Sequence, residues 1–389
     1  MSVMMMVNCP VLFGPGCINE VGGKFKDFGS KKVLIVVDKI GAQLGFTEKM
    51  KQILKDSGIE SVAFEEAEPD PPARSVDMGG KLAKEAKIDG IVGIGGGSVL
   101  DTAKGINVLV NNSGSINEYF LTAKGPVPYK PGVPLLLLPT TAGTGSEVSG
   151  SGMITSAAGE KRPVPMRATL GVVDPELAVS LPPAVTAGCG LDAFAHAAES
   201  MTNTMDNIYA NMLATDAIGR ITKFLPIAVK DGKNIEARTH MSFSASMAVI
   251  GLGLTRANLG HACAHTIGAA FHLPHGDLCG MCLPETTRRN AQFVPEKIRR
   301  LGELMGLKIS PGASPKEVGD AVASGLYDFL RTLGVKSLKD RGLKREDLVD
   351  RHDLTEIMMR DVCWATAPAN KMPAETFEDI WVKFYDDYQ

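Results

Sequence analysis

The sequence predicts an α/β domain built on a largely parallel sheet, followed by an all-helical domain. Three observations predict it. Short β-branched and leucine-rich runs alternate with helical patterns as far as Val172-Val173. Those runs are apolar on both faces, as strands covered by helices on both sides are. Beyond Pro182-Pro183 strand-like runs become scarce and long helical periodicities dominate. A chain of 389 residues exceeds what one hydrophobic core holds, so a division into 1–182 and 183–389 is expected.

Taken in order, Lys32 to Val37 reads as a buried strand and Thr47 to Ser57 as an amphipathic helix. A strand at Ser61 to Phe64 precedes a helix from Ser75 to Ala86. Gly90 to Ile94 is a third strand, ending on a glycine cluster that opens a helix near Val99. Leu135 to Leu138 is a further short apolar run before a turn. In the second domain, Ile208 to Phe224 and Pro315 to Leu333 have helical spacing.

Composition excludes several classes of function. A formal net charge of -3, with basic residues scattered, gives no electrostatic case for nucleic acid or an anionic membrane surface. No apolar stretch reaches the length of a transmembrane helix. The opening MSVMMMVNCPVLFG lacks the basic and long apolar regions of a secretory signal. Seven thinly spread cysteines suit a reducing compartment, so a cytoplasmic location is expected. Cys279 and Cys282 have CxxC spacing without a second pair, which reads as two buried small residues rather than a redox or zinc motif.

Three signals fall at successive strand ends, where α/β sheets bind ligands. Gly95-Gly96-Gly97-Ser98 opens a helix, whose backbone N–H groups and dipole favour an anion; a plain tight turn is the other reading. Asp38 ends the first strand, where a carboxylate accepts from an adenosine ribose and repels a 2′-phosphate, favouring NAD over NADP. A helix N-cap accounts for it equally well. Pro139-Thr140-Thr141-Ala142-Gly143-Thr144-Gly145-Ser146-Glu147 offers hydroxyls to phosphate or nicotinamide groups, or is a Ser/Thr-rich turn.

The histidines are the sharpest feature. Asp192 and His196 stand at i and i+4, on one face of a helix, and His261 and His265 repeat the spacing. His275 follows Pro274, which interrupts regular helix, and precedes Gly276, which permits a sharp turn. A carboxylate and imidazoles on facing helices suit Fe²⁺ or Zn²⁺, against the alternative of separately satisfied core or surface histidines.

Together these residues resemble the iron-containing (group III) alcohol dehydrogenase family, whose fold is dehydroquinate synthase-like. The resemblance rests on Gly95 to Ser98 with Asp101 and Lys104, on Pro139-Thr140-Thr141 with Gly143 to Glu147, and on Asp174-Pro175. It continues through Asp192/His196, His261, His265 and His275-Gly276. It implies a dinucleotide-binding domain followed by a helical metal domain. It assigns Asp192, His196, His261 and His275 as metal ligands and His265 as a histidine beside the nicotinamide. Asp38, Gly95, Gly96, Gly97, Ser98, Thr140 and Thr141 match cofactor positions, with Thr144 and Lys161 as weaker carry-overs. It further implies hydride transfer between NAD(H) and a small primary alcohol or aldehyde, with Fe²⁺ or Zn²⁺ bound, in a homodimer or larger homo-oligomer. Maleylacetate reductases share the fold without this complete set of four ligands.

The stretch Ile250 to Gly260 departs from the family's glycine-rich, aromatic-headed segment. Its Arg256 meets an anionic substrate group in one reading and is a surface or interdomain arginine in the other. His272 is a candidate for lining the pocket or for touching a metal ligand; His240 and His352 read as structural or surface residues. Two other functions fit the same residues: a hydroxyacid–oxoacid transhydrogenase with tightly bound NAD, and a non-enzymatic metal- or nucleotide-binding protein.

Overall fold

The computed structural model describes residue 3 and residues 5–389. The chain forms two compact units, Val7–Val179 and, with residues 3, 5 and 6, Ser180–Gln389.

The first unit has strands β1 (Val11–Phe13), β2 (Lys32–Asp38), β3 (Glu60–Ala67), β4 (Gly90–Gly95), β5 (Leu135–Pro139), β6 (Ser151–Thr155), β7 (Lys161–Pro165) and β8 (Leu170–Val173). Six of them form one parallel sheet in the order β1-β8-β5-β4-β2-β3. The helices of this unit are α1 (Val21–Asp27), α2 (Lys39–Gln43), α3 (Phe46–Asp56), α4 (Ala73–Ala86) and α5 (Gly97–Val110). Val33, Ile35 and Val37 of β2 pack with Phe25 of α1 and with Met50 and Leu54 of α3 in one fully buried cluster. The continuous apolar run of β2 is thereby explained, since neither face of this strand meets water.

Topology places the ligand end. After β3 at the sheet edge the chain returns to β4 on the far side of β2, so connections leave β2 and β4 in opposite directions. Such a reversal opens a crevice beyond the carboxyl ends of the strands. Val36 pairs with Gly93 and Gly95 with Pro139, which brings Asp38, the glycine turn and Thr140 side by side.

The sequence reading leaves out β1, β8 and the antiparallel β6–β7 pair. β7 contains Pro163 and Pro165, which cannot donate to a ladder and are tolerated in a two-stranded edge pair. β1 and β8 are only three and four residues long, too short for a periodicity.

The second unit contains only helices: α6 (Pro183–Thr202), α7 (Ile208–Lys230), α8 (Ile235–Thr255), α9 (Leu259–Phe271), α10 (His275–Ala291), α11 (Pro295–Leu304), α12 (Pro315–Thr332), α13 (Arg345–Val349), α14 (Leu354–Arg360) and α15 (Ile380–Asp386), with short 3₁₀ turns. α7 runs six residues past Phe224, through Pro226. Proline removes one backbone hydrogen bond there, and buried Leu225 and Ala228 hold the helix against that cost. α6 lies between α7, α8 and α10 and is buried on all sides from Gly190 to Thr202. A helix this apolar all round, interrupted by Asp192, His196 and Glu199, needs a reason for its charges. Among the described residues no helix is long and apolar enough to cross a membrane.

Candidate functional site

Three helices of the second unit converge on Asp192. Its Oδ1 lies 3.4 Å from His196 Nε2, 3.7 Å from His261 Nε2 and 3.5 Å from His275 Nε2. The i,i+4 spacing on α6 supplies the first contact, α9 delivers His261 and the first residue of α10 is His275. Asp192 and His261 are buried, and Asp192 Oδ1 and His261 Nε2 have no hydrogen-bond partner among the described residues. Buried polar atoms left in that condition cost free energy unless something else satisfies them. Bonds of about 2.0–2.2 Å at tetrahedral angles put two donors about 3.4 Å apart, close to the separations found here. Asp192, His261 and His275, whose donor atoms lie mutually within 4.8 Å, therefore fit a divalent first-row cation, and His196 stands beside them with its Nε2 3.4 Å from Asp192.

Electrostatics agree with the geometry. Burial opposes ionisation of Asp192, yet the imidazoles of His196, His275 and His261 outweigh it and hold the carboxyl far below the ordinary range. Burial and the surrounding imidazoles hold His275 down to about 3, against the pull of Asp192. His261 moves the other way, well above the usual imidazole range, because Cys279, Glu199 and Asp192 together outweigh its burial. One carboxylate ringed by imidazoles is a place prepared for positive charge.

Glu199 lies outside the sequence reading although it stands three residues after His196 on the same helix. Its Oε1 accepts from the His261 backbone N–H at 2.8 Å, and Oε2 accepts from the Asn258 N–H. Oε2 is also 3.2 Å from His261 Nδ1. One buried carboxylate thus caps the N-terminus of α9 and orients the His261 ring with Nε2 toward Asp192. Gly260 permits this approach, since a Cβ there would lie 2.1 Å from Glu199 Oε1. Glu199→Gln is expected to lower metal affinity about 10–100-fold, measured by competition with a chromophoric chelator.

Gly276 corrects a second expectation. It makes no sharp turn but lies inside α10, one residue after His275. A Cβ at Gly276 would approach Gly188 O to 2.3 Å, so this glycine lets α10 lie directly on α6 and keeps His275 within reach of Asp192. The interruption falls earlier: α9 ends at Phe271, and Pro274 is the N-cap of α10.

His265 lies beside this group. Its ring stacks on His275 with centroids 5.3 Å apart, and its Nδ1 is 2.9 Å from Asp361 Oδ2. Burial opposes ionisation of Asp361, but its hydrogen bond with His265 leaves the carboxyl below its usual range. Asp361 is far from His265 in sequence, and no local spacing signals the pair. Arg256 ends α8 with an exposed side chain and a strained φ of 104°. Its carbonyl accepts from Asn203 Nδ2 at 2.7 Å. His272 is the exposed, left-handed cap of α9. His240 stacks on Phe224 and lies 2.8 Å from Arg220 Nη1, a structural position, and His352 is exposed.

In the sheet unit, Asp38 is the N-cap of α2, with Oδ1 accepting from the Gly41 N–H at 2.6 Å. Gly96 is the N-cap of α5, which begins at Gly97, two residues before the expected start. A Cβ at Gly97 would lie 2.8 Å from Thr144 Cγ2, so the glycine turn and the threonine turn are packed against each other. Thr140 N–H donates to Gly95 O at 2.9 Å, and Thr141 lies beside Gly96. Ser98 belongs to the first turn of α5, its carbonyl accepting from Thr102 Oγ1. Lys161 starts β7, half-exposed and 2.6 Å from Asp70 Oδ1. Below the turn, Lys104 Nζ is fully buried and donates to Ser146 O, Ser149 Oγ and Ser151 O at 2.7–2.8 Å and to Ser146 Oγ at 3.0 Å. Lys104 is a structural pin for the loop that carries Thr144.

Comparison with known proteins bears on both units. Residues 10–175 match the iron-containing alcohol dehydrogenase family model, and residues 186–383 match that of the C-terminal part of the Fe-containing alcohol dehydrogenase family. Choline dehydrogenase of Bacillus subtilis is 34% identical over 354 residues, 90% of this chain and 87% of its own. NAD-dependent methanol dehydrogenase of Bacillus methanolicus is 33% identical over 362 residues, 92% of this chain and 93% of its own. The crystal structure of a 1,3-propanediol oxidoreductase superposes with a TM-score of 0.91 at 28% identity, covering 99% of this chain and all of the other. With both units matched and the sequence aligned nearly end to end, this chain belongs to the iron-containing alcohol dehydrogenase family and is an oxidoreductase of that kind.

Proposed function

We propose that the protein interconverts a small primary alcohol and its aldehyde with NAD(H), using a divalent cation held by Asp192, His196, His261 and His275. The observation that carries this reading is the buried, unpartnered Asp192 Oδ1 with three imidazole nitrogens 3.4–3.7 Å from it. A cation held there, Fe²⁺ or Zn²⁺, would supply Lewis acidity toward the substrate oxygen, and a bound NAD(H) would supply hydride chemistry. The protein's own contribution is arrangement. Asp192 supplies the negative charge, and Glu199 and the α6–α10 contact fix two of the imidazoles. Asp361 holds His265 through Nδ1, leaving Nε2 to pass the alcohol proton toward solvent. For the dinucleotide, the Gly96–Ser98 turn offers backbone N–H groups to phosphate, and Thr140, Thr141 and Thr144 offer hydroxyls. Asp38, with Oδ1 taken by Gly41, offers Oδ2 to a ribose and disfavours a 2′-phosphate.

The test is coupled turnover with NADH on a panel of small aldehydes, after stripping metal and restoring Fe²⁺ or Zn²⁺ anaerobically. Metal-restored activity is expected. NAD that copurifies tightly, with no turnover of free cofactor under either metal, overturns the reading in favour of transhydrogenation. Arg256 is the residue through which an anionic substrate is tested: an exposed guanidinium five residues before His261, on a strained backbone. Arg256→Ala is then expected to raise KM for succinic semialdehyde about tenfold or more while leaving propanal unchanged. Equal effects on both substrates remove Arg256 from the site.

A further inference from the structure

Among the described residues, two sets of His, Cys, Asp or Glu side chains bring ligand atoms mutually within 4.8 Å. One surrounds Asp192. The other is His265, Asp361 and Cys363, whose thiol has no part in the chemistry above. These three are not neighbours on one helix, for His265 is on α9 while Asp361 and Cys363 follow α14. The two sets also differ in state. Around Asp192 polar atoms lack hydrogen bonds, whereas here protons fill the space. Asp361 Oδ2 is 2.9 Å from His265 Nδ1, and Oδ1 accepts from the Cys363 N–H at 2.8 Å. Bonds of about 2.0–2.1 Å to nitrogen and oxygen at a tetrahedral angle separate two donors by about 3.3 Å, so a cation replacing the shared proton moves the ring by about 0.4 Å. The His265 side chain is 40% exposed, so an ion enters past the ring and keeps water on its open side.

Charge decides whether a second dication is tolerated near the first, since His265 stacks on His275. The Asp361 carboxylate and a Cys363 thiolate together cancel the charge of such an ion, and a neutral imidazole adds none. Burial and Asp361 hold the free Cys363 thiol well above its usual range, so it stays protonated until a metal displaces the proton.

We infer that His265, Asp361 and Cys363 form a second, inhibitory cation site that prefers Zn²⁺. This rests on the proton route proposed above and adds a means of regulating it. When the ion binds, the Nδ1–H and S–H bonds break and bonds from zinc to nitrogen, oxygen and sulfur form. One proton is taken up on Nε2 and one leaves to solvent; no electron changes hands. The ring then carries its proton on Nε2 and cannot accept another from the alcohol. Imidazole and thiolate donors favour zinc over harder cations such as Mg²⁺.

The test starts from stripped protein reloaded with one equivalent of Zn²⁺, to which excess Zn²⁺ is added during alcohol oxidation. Wild type is expected to lose activity and to retain two zinc ions per chain after gel filtration. Cys363→Ser should match wild type at one equivalent and need about tenfold or more free zinc for the same inhibition. Undiminished activity in excess zinc overturns the inference, as does equal inhibition of wild type and Cys363→Ser. Cobalt(II) added to the one-zinc protein reads the ligand itself. A near-ultraviolet thiolate-to-cobalt charge-transfer band is expected in wild type and not in Cys363→Ser; its absence from wild type, or survival in the variant, refutes the site. No turnover at one equivalent defeats the function proposed above, and the cobalt band then decides this site by itself. If Cys363→Ser does not fold, the wild-type band decides in the same way.

Discussion

Asp192→Asn is expected to purify folded, without bound metal, and to turn over about a thousandfold more slowly than wild type. The substitution keeps the side chain's shape and removes its charge. In the wild type that charge faces three imidazole nitrogens at 3.4–3.7 Å. Among the described residues no other carboxylate stands so placed: Glu199 lies on the Nδ1 side of His261 and is engaged with the backbone of α9. A neutral amide therefore leaves the cation with imidazoles alone around it. Loss of a Lewis acid worth several kcal/mol in the transition state accounts for the expected factor. Metal content by elemental analysis, circular dichroism and turnover on the same preparation make the check. A variant that keeps its metal and full activity sinks the assignment of Asp192.

How much of this was legible beforehand differs by feature. The parallel sheet was, because β2 from Val33 to Val37 and β5 throughout are apolar runs that lie between glycine- and helix-rich segments. The placing of Asp192 with His196 and of His261 with His265 on one face of a helix was, because i,i+4 spacing is a local signal. Glu199 and Asp361 were not. Each acts on a histidine brought near by tertiary folding, His261 and His265, and neither lies in a spacing that marks it. Cys279 and Cys282 are both buried, as their reading as small buried residues expects. Gly276 shows a different limit, since a glycine required for close approach and one required for a turn look alike until the partner helix is in place.

Lys104→Met is expected to destabilise the sheet unit by about 3–5 kcal/mol, the cost of removing one partner from a buried charge pair. Lys104 Nζ is fully buried, 3.8 Å from Asp101 Oδ1, and it serves four oxygen atoms of the loop from Ser146 to Ser151. Methionine fills the same channel with no donor. Asp101 keeps its bonds from Ser146 Oγ at 2.6 Å and the Met153 N–H at 3.0 Å, but it loses the cation that opposes its desolvation. Burial already raises the Asp101 carboxyl above its usual range despite Lys104, and in the variant it rises further. A carboxyl with a folded pKa above its unfolded one takes up a proton on folding. Its penalty is absent below the unfolded pKa, grows as pH rises toward the folded pKa and is complete above it. The stability gap between Lys104→Met and wild type should accordingly be smallest in acid and widen through the weakly acidic range. Denaturant unfolding at several pH values measures it. Adding Asp101→Asn removes the stranded charge, so the double variant should be more stable at neutral pH than Lys104→Met alone, with the pH dependence gone. Equal destabilisation at all pH values would mean that the loss comes from the unsatisfied carbonyls of Ser146 and Ser151, and Asp101 would then have no part in holding the threonine turn against the glycine turn.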